Sequence, residues 1–185
     1  MKSKKTIITL FVLFTVIAGS FCAYFICSNS EIDFESDKSI ISNLSANEEK
    51  AITILSKEKY KDYAAVLYTV PSDEKIHFVY LIKHPYFFNR YIVKGGGSTN
   101  NGVDCTKVQN DKGESIFFIY DNADEASKCS AFELRSDGII HSKIEEIDTP
   151  KGPYIITKEY DFEDKQTEVL VFEGSKTLEE VNQYF

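Results

Sequence analysis

Two cysteines, Cys105 and Cys129, are the most reactive side chains in the chain beyond residue 27. In an oxidising compartment they are expected to form a disulfide, which by the loop-entropy argument adds about 3 kcal/mol to stability. The alternative is a pair of unpaired thiols packed in the core. As a nucleophile, either thiol would need a histidine close to it in space, and a disulfide would abolish that chemistry.

The three histidines, His77, His84 and His141, are too far apart in the sequence to indicate a metal site. None of them belongs to a His-Glu-x-x-His pattern, in which two imidazoles on one helix face hold zinc. His77 alternates with Val79 and Leu81, which is the period of a strand. The sequence therefore predicts that His77 lies on a face of a β-sheet, and it predicts no metal ligands.

Two short motifs resemble ligand-binding loops but lack their essential parts. The segment Gly95-Gly96-Gly97-Ser98-Thr99 is similar to a phosphate-binding loop, yet it has no lysine and no helix follows it. It is expected to be a flexible hairpin loop. Asp121, Asp124 and Glu125 lack the spacing and central glycine of a calcium loop, so a solvated acidic turn is expected. The sequence therefore predicts no catalytic residue and no cofactor, and it indicates that the chain is not an enzyme.

The segment that follows His84 is unusually rich in aromatic residues and contains an arginine. Aromatic and arginine side chains are enriched at the centres of protein interfaces, so an exposed cluster here would form a recognition patch. The alternative is that the rings fill the core of the sheet while the arginine pairs with an acid. The candidate patch consists of Tyr86, Phe87, Phe88, Arg90 and Tyr91.

The charge distribution disfavours nucleic acid as a partner. The chain has 29 acidic and 21 basic residues, which gives a net charge of -8. Because Lys2, Lys4 and Lys5 are the only charged residues before Glu31, the remainder is more acidic than the whole. A surface of that sign repels phosphate backbones, and no concentrated basic patch offsets it.

The first part of the chain has the pattern of a transmembrane signal anchor. No residue from Thr6 to Cys27 is charged, and a helix of that length spans roughly 33 Å, the thickness of a bilayer. Lysines precede this segment and acids follow it, so the positive-inside rule keeps the N-terminus in the cytoplasm. The sequence therefore predicts a cytoplasmic stub at 1–5, an anchor at 6–27, and a single-pass cell-membrane protein whose remaining chain is extracytoplasmic, in the cell envelope.

Two other interpretations of this segment compete with a retained anchor. The small residues Ala18, Gly19 and Ser20 would suit cleavage of a signal peptide, but the apolar run continues beyond them to Cys27. Lipidation would require a small residue before the modified cysteine, whereas Phe21 precedes Cys22. Retention in the bilayer is the favoured interpretation, and cleavage after Ser20 is left open.

The exported part is expected to be one domain of the α+β class. Residues 28–39 are polar and acidic and are expected to form a tether, and the domain follows at 40–185. From Ile40 to Tyr60 the apolar residues recur at helical spacing, and Ser45 with Glu48 resembles a capping box, so an amphipathic helix is expected. The last ten or so residues have the spacing of a short C-terminal helix.

Between these helices the sequence alternates short β-rich runs with turn formers, which predicts a mostly antiparallel sheet. The runs from Tyr63 to Val70 and from Ile76 to Lys83 are expected to pair as a hairpin. Further strands are expected at 90–94, 103–108, 115–120, 131–135, 139–147, 154–162 and 168–172.

Three groups of residues carry a resemblance to other proteins. They are Phe88-Asn89-Arg90-Tyr91, Gly95-Gly96, and the strand that ends at Tyr120-Asp121-Asn122. With them the chain resembles small signal-anchored extracytoplasmic proteins of Gram-positive bacteria that have no assigned activity. The resemblance covers most of the exported part and implies location and architecture alone.

Taken together, these features predict a membrane-anchored extracytoplasmic binding or interaction module. Its expected partners are the lipid bilayer and another envelope or membrane protein, contacted through strand edges or the region from Phe87 to Gly97. The alternative is an accessory subunit that contacts a larger membrane complex through its transmembrane helix. An extracytoplasmic enzyme is the least favoured interpretation.

Overall fold

The protein is mostly β-structure, with three helices and eleven strands among the residues that the structure describes. The computed structural model describes residues 12–20, 31–48, 51–71, 73–87, 89–99, 102–109, 115–123, 125 and 127–184. The helices are α1 (12–20), α2 (Asp37–Glu48) and α3 (Leu178–Asn182). The strands are β1 (Ile32–Asp33), β2 (Thr53–Tyr60), β3 (Tyr63–Thr69), β4 (Ile76–Lys83), β5 (Arg90–Thr99), β6 (Asp104–Gln109), β7 (Ser115–Ala123), β8 (Ser127–Leu134), β9 (Ile140–Thr149), β10 (Gly152–Tyr160) and β11 (Glu168–Glu173).

These strands form three antiparallel sheets. Sheet A has five strands in the order β1-β5-β4-β3-β2. Sheet B has the order β10-β7-β6, and sheet C has the order β11-β8-β9. Every pairing between described strands is antiparallel. The predicted hairpin is confirmed, because β3 and β4 pair in continuous register from Tyr63 with Ile82 to Thr69 with Ile76.

The sheets are stacked, and sheet B lies in the middle. One face of sheet A packs on one face of sheet B, where Leu67 of β3 and Phe118 of β7 belong to the same buried cluster. The opposite face of sheet B packs on sheet C, where Phe117 of β7 meets Ala131 of β8. Successive side chains of a strand point to opposite faces of the sheet. Because both faces of sheet B are covered, the side chains on both faces of β7 are buried. This explains why its run from Ile116 to Tyr120 is apolar throughout rather than alternating.

Helices cover the two outer faces of the stack. On sheet A, Ile40 and Leu44 of α2 join a buried cluster with Val66 and Leu81. On sheet C, Val181 of α3 packs against Phe132 and Ile140. The short helix α3 begins with a capping box, in which Thr177 and Glu180 satisfy each other's backbone N–H groups. Five layers therefore bury the apolar residues.

The predicted transmembrane anchor at 6–27 and the predicted cell-membrane location are corrected by the structure. The described helix in this region, α1, covers 12–20 and extends about 14 Å at the usual rise per residue, half the thickness of a bilayer. Among the described residues, no helix is both long and apolar enough to cross a membrane. Residues 6–11 and 21–27 of the predicted span, and the stub at 1–5, lie outside the described residues. The alternative of an accessory subunit that contacts a membrane complex stays a prediction.

The predicted α+β class and the amphipathic helix over 40–60 are wrong. Helix α2 covers Asp37–Glu48, and residues 53–60 of the predicted helix form strand β2, which pairs with β3 along its length. The helix begins earlier than expected because the Ser36 hydroxyl accepts a hydrogen bond from the Ser39 backbone N–H at 3.3 Å and caps it. Pairing with the buried strand β3 outweighs the helical spacing of β2, since tertiary packing overrides local propensity.

The segment expected to be an acidic tether, 28–39, contributes to the fold over its described part. Ile32 and Phe34 are buried in the cluster beneath α2, and β1 pairs with β5. The physical reason is that two large apolar side chains within an acidic segment are sufficient to dock it against the sheet.

Candidate functional site

The outer edge of β5 is only partly covered by described strands. On this side β1 pairs with Arg90 and Tyr91 alone, whereas β5 has 10 residues. From residue 92 to 99 no other described strand lies against the edge, and Gly96, Gly97 and Ser98 are exposed. Backbone N–H and C=O groups along an uncovered edge lack a pairing strand and can accept one.

The opposite edge of sheet A is held by side chains of sheet B. The Tyr60 hydroxyl of β2 donates a hydrogen bond of 2.7 Å to Glu159 of β10. The Lys61 ammonium, just after β2, lies 2.9 Å from the same carboxylate. These two contacts hold the pKa of Glu159 below its usual range. Side chains therefore attach the far end of β2 to sheet B.

A cleft of about 430 Å³ lies beside this edge, on the face of sheet A that α2 covers. Its size is in the range of small-ligand and side-chain pockets. Pairing in register places Tyr68, His77 and Ser98 side by side on β3, β4 and β5. The described lining comprises Leu44, Tyr68, His77, Phe78, Val79, Val93, Gly95, Gly96, Gly97 and Ser98. No lysine, arginine, aspartate or glutamate is among them, so the cleft suits an uncharged group.

His77 is the titratable side chain of the cleft, and its orientation is fixed on two sides. Its ring stacks on Tyr68 with the centroids 5.3 Å apart. Its Nε2 lies 3.2 Å from an oxygen of Asp73. The Lys75 backbone N–H and the His77 ring hold the pKa of the Asp73 carboxyl below its usual range. An ionised carboxylate can only accept a hydrogen bond, so in neutral His77 the proton is on Nε2 and Nδ1 is the acceptor.

The three glycines of β5 pack closely against β4, and at Gly96 the close neighbour is the backbone of β4 itself. A Cβ added to Gly95 would lie 2.5 Å from the Tyr80 ring, and one on Gly97 would lie 2.9 Å from the Phe78 ring. A Cβ on Gly96 would lie 2.5 Å from the backbone oxygen of Phe78. The expectation of a flexible hairpin loop at 95–99 is therefore wrong, because these residues continue the strand.

The predicted recognition patch is divided by the structure between surface and core. Tyr86 is 86% exposed, and Tyr91 is fully buried, with its ring 5.4 Å from that of Phe34. Phe87 and Arg90 are half-buried, and Phe88 lies outside the described residues. A binding role for the exposed part of this patch stays a prediction.

His84 has a structural role beneath this patch. Its Nδ1 accepts hydrogen bonds from the backbone N–H groups of Tyr86 at 3.1 Å and Phe87 at 3.2 Å. Its Nε2 lies 3.2 Å from the buried carboxylate of Glu31. His84 therefore fixes the turn that presents Tyr86 and connects it to the segment before β1.

The remaining candidates for metal binding lie apart from one another. His141 pairs with Asp137 at 3.0 Å in a separate hairpin. Asp121 is buried, and burial raises its pKa, while Glu125 is exposed and Asp124 lies outside the described residues. Among the described residues, no group of three or more histidine, cysteine, aspartate or glutamate side chains is placed to hold a metal ion.

The predicted disulfide between Cys105 and Cys129 is wrong, because both are free thiols. They lie in the same apolar cluster between sheets B and C, on β6 and β8. The Cys105 thiol donates a hydrogen bond of 2.8 Å to the Val169 carbonyl. Burial, reinforced by the nearby acids Asp104 and Glu168, raises the pKa of Cys105 to about 12, and burial raises that of Cys129 to about 11. Thiols of this kind are poor nucleophiles at neutral pH, because only the thiolate reacts.

Both thiols are therefore expected to resist modification in the native protein, since Cys129 is buried and Cys105 is partly buried with a raised pKa. The test uses a variant with Cys22 and Cys27 replaced by serine, treated with Ellman's reagent at pH 8. We expect little reaction without denaturant and full reaction of both thiols in urea. Rapid reaction in the native state, or an intact mass two hydrogens lower under non-reducing conditions, would contradict the structure.

The sequence indicated strand edges or the region from Phe87 to Gly97 as a contact surface, which overlaps β5, but it gave no sign of the cleft. The position of His77 on a sheet face was predicted and is confirmed by the register of β3 and β4. The useful signal for the edge was the run from Arg90 to Thr99, whose glycines interrupt an otherwise strand-like pattern. Glycine within a strand often marks close approach of another backbone or ring.

No family model, no curated protein and no solved structure matches this chain. The resemblance to signal-anchored proteins of Gram-positive bacteria therefore stays an expectation, and function has to be argued from the site itself.

Proposed function

We propose that this protein is an interaction module that binds an extended segment of another protein along the outer edge of β5. The observation that supports the proposal is the mismatch between β1, with 2 residues, and β5, with 10. Most of β5 therefore has no described neighbour on one side. A segment added there would form backbone hydrogen bonds with β5 and extend sheet A.

The geometry next to the edge suits this mode of binding. Side chains of an added strand alternate between the two faces of the sheet. Those on the α2 face would lie next to Ser98 and Gly96, beside the cleft. Backbone hydrogen bonds would supply affinity, and the cleft would supply selectivity.

Charge favours a neutral or basic segment from a different protein over a second copy of this chain. Each copy has a net charge of -8, so two copies repel each other at long range.

The test uses a synthetic peptide of alternating threonine and valine with a lysine at each end, acetylated and amidated. We expect saturable binding by calorimetry and slower hydrogen exchange of the backbone amides from 92 to 99. The matched controls are two versions of the peptide that are N-methylated at alternate residues. In strand addition only one set of N–H groups faces β5, so one version should lose binding and the other should retain it.

Three outcomes would overturn the proposal. The first is absence of binding by the unmethylated peptide. The second is strong protection of the outward amides of β5 in the free monomer, since the edge would then already be covered. The third is a dimer in sedimentation experiments whose β5 amides lose protection on dilution, which would identify a second copy as the occupant.

A further inference from the structure

We infer that the cleft beside β5 selects a tyrosine or tryptophan side chain in the bound segment, with His77 as the residue that determines this specificity. The inference rests on the proposed strand addition at β5. It deepens that function by naming the side chain that the partner presents.

The position of Gly96 makes the cleft reachable from an added strand. In register, Gly96 lies beside Val79 and Ser98 lies beside His77. Because Gly96 has no side chain, nothing on β5 at that position stands between a neighbouring strand and Val79. A side chain of the added strand that points to the α2 face can therefore extend over Gly96 into the cleft.

The walls of the cleft favour a large, flat and uncharged group. Leu44 of α2, Val79 and Val93 supply an apolar surface, and the Tyr68 and His77 rings supply an aromatic one. Large aromatic side chains bury the most apolar surface and pack well against other rings. A charged side chain would lose hydration there, and no lysine, arginine, aspartate or glutamate is in the described lining to offset that loss.

The hydrogen-bonding state of His77 distinguishes among aromatic residues. In neutral His77, Nε2–H donates a hydrogen bond to the Asp73 carboxylate at 3.2 Å, and Nδ1 is then the acceptor of the ring. Ser98, beside it in register, adds a hydroxyl that can donate or accept. An aromatic side chain that carries its own donor, the tyrosine O–H or the tryptophan N–H, satisfies these groups, and phenylalanine does not.

The test compares four versions of the threonine and valine peptide, with tyrosine, phenylalanine, alanine or glutamate at the central position. We expect the tyrosine peptide to bind roughly tenfold more tightly than the phenylalanine peptide, the usual effect of one hydrogen bond. The alanine and glutamate peptides should bind more weakly than either. In the His77→Phe variant, the tyrosine and phenylalanine peptides should bind with about equal affinity.

A matched control is available in the chain itself. His141 pairs with Asp137 four residues before it, as His77 pairs with Asp73, but it lies in sheet C. His141→Phe should leave the tyrosine preference unchanged. Should His77→Phe fail to fold, the comparison of tyrosine and phenylalanine peptides on the unmodified protein still tests the inference.

The outcomes separate the two proposals. Equal binding of all four peptides, with β5 amides still protected, would overturn the selectivity of the cleft and leave strand addition standing. Equal binding of tyrosine and phenylalanine peptides would overturn the role of His77. Failure of all four to bind would overturn strand addition and the inference with it.

Discussion

Phe117→Ala is expected to lower the free energy of unfolding by about 3–5 kcal/mol, the usual cost of removing a fully buried phenylalanine ring. Phe117 is fully buried on the central strand β7, on the face that packs on sheet C. Its ring lies 5.5 Å from that of Tyr160 and 6.2 Å from that of Phe162. Because β7 lies between sheets A and C, the cavity left by removing the Phe117 ring is enclosed by sheet on both sides. Movement of a single loop cannot fill it.

The measurement is urea unfolding followed by tyrosine fluorescence or circular dichroism. A loss of this size is a large part of the total stability of an ordinary domain, so partial unfolding without denaturant is also an acceptable result. Tyr86→Ala is the matched control, because it removes an aromatic ring that is 86% exposed. It should change stability by less than about 0.5 kcal/mol. A similar loss in both variants would contradict the placement of β7.

Gly96→Ala is expected to be the second most damaging of these changes, with a loss of about 1–3 kcal/mol from overpacking. The added Cβ would lie 2.5 Å from the Phe78 backbone oxygen and 3.3 Å from the Val79 Cα. Both of these atoms belong to the backbone of β4. The strain can be relieved only by separating β4 from β5, since no side-chain rotation moves either atom.

The matched control for this change is Gly19→Ala in α1. A Cβ at Gly19 meets nothing within 4 Å, and the residue lies in a helix, where alanine is the better residue. Thermal unfolding of the two variants should therefore show a clear decrease for Gly96→Ala and no decrease for Gly19→Ala. An unchanged midpoint for Gly96→Ala would show that β5 does not approach β4 as closely as described.

Strands from β3 onward could be predicted from the sequence because their signals are local. The hairpin of β3 and β4 follows from two alternating runs separated by a short turn. The order of strands in the sheets could not be predicted in this way. β7 pairs with both β6 and β10, and the partner β10 lies beyond β8 and β9 in the chain. The alternation of apolar and polar residues indicates that a segment is a strand, but it does not indicate which strand pairs with it.

The same limit explains the errors in the candidate site. Among the described strands, the edge of β5 has no neighbour beyond Tyr91 because β1 is short, and no feature of β5 alone reveals the length of β1. The helix prediction over 40–60 was wrong for β2 because β2 pairs with β3, and this pairing cannot be read from the sequence of β2 alone. The disulfide failed because two cysteines can share an apolar cluster without their sulfur atoms meeting.

The position of β10 in sheet B has a consequence for biosynthesis. A ribosome releases β6 and β7 before it has made the strand that completes their sheet. Until β10, which begins at residue 152, has been synthesised, one edge of β7 has no strand to pair with. During that time β7 carries large apolar residues that are buried in the finished fold, including Ile116, Phe118 and Ile119. Contacts between such distant parts of a chain form slowly, and a bare apolar edge is prone to association with other chains. The nascent protein therefore passes through a stage in which chaperone assistance is of greatest use, between synthesis of β7 and of β10.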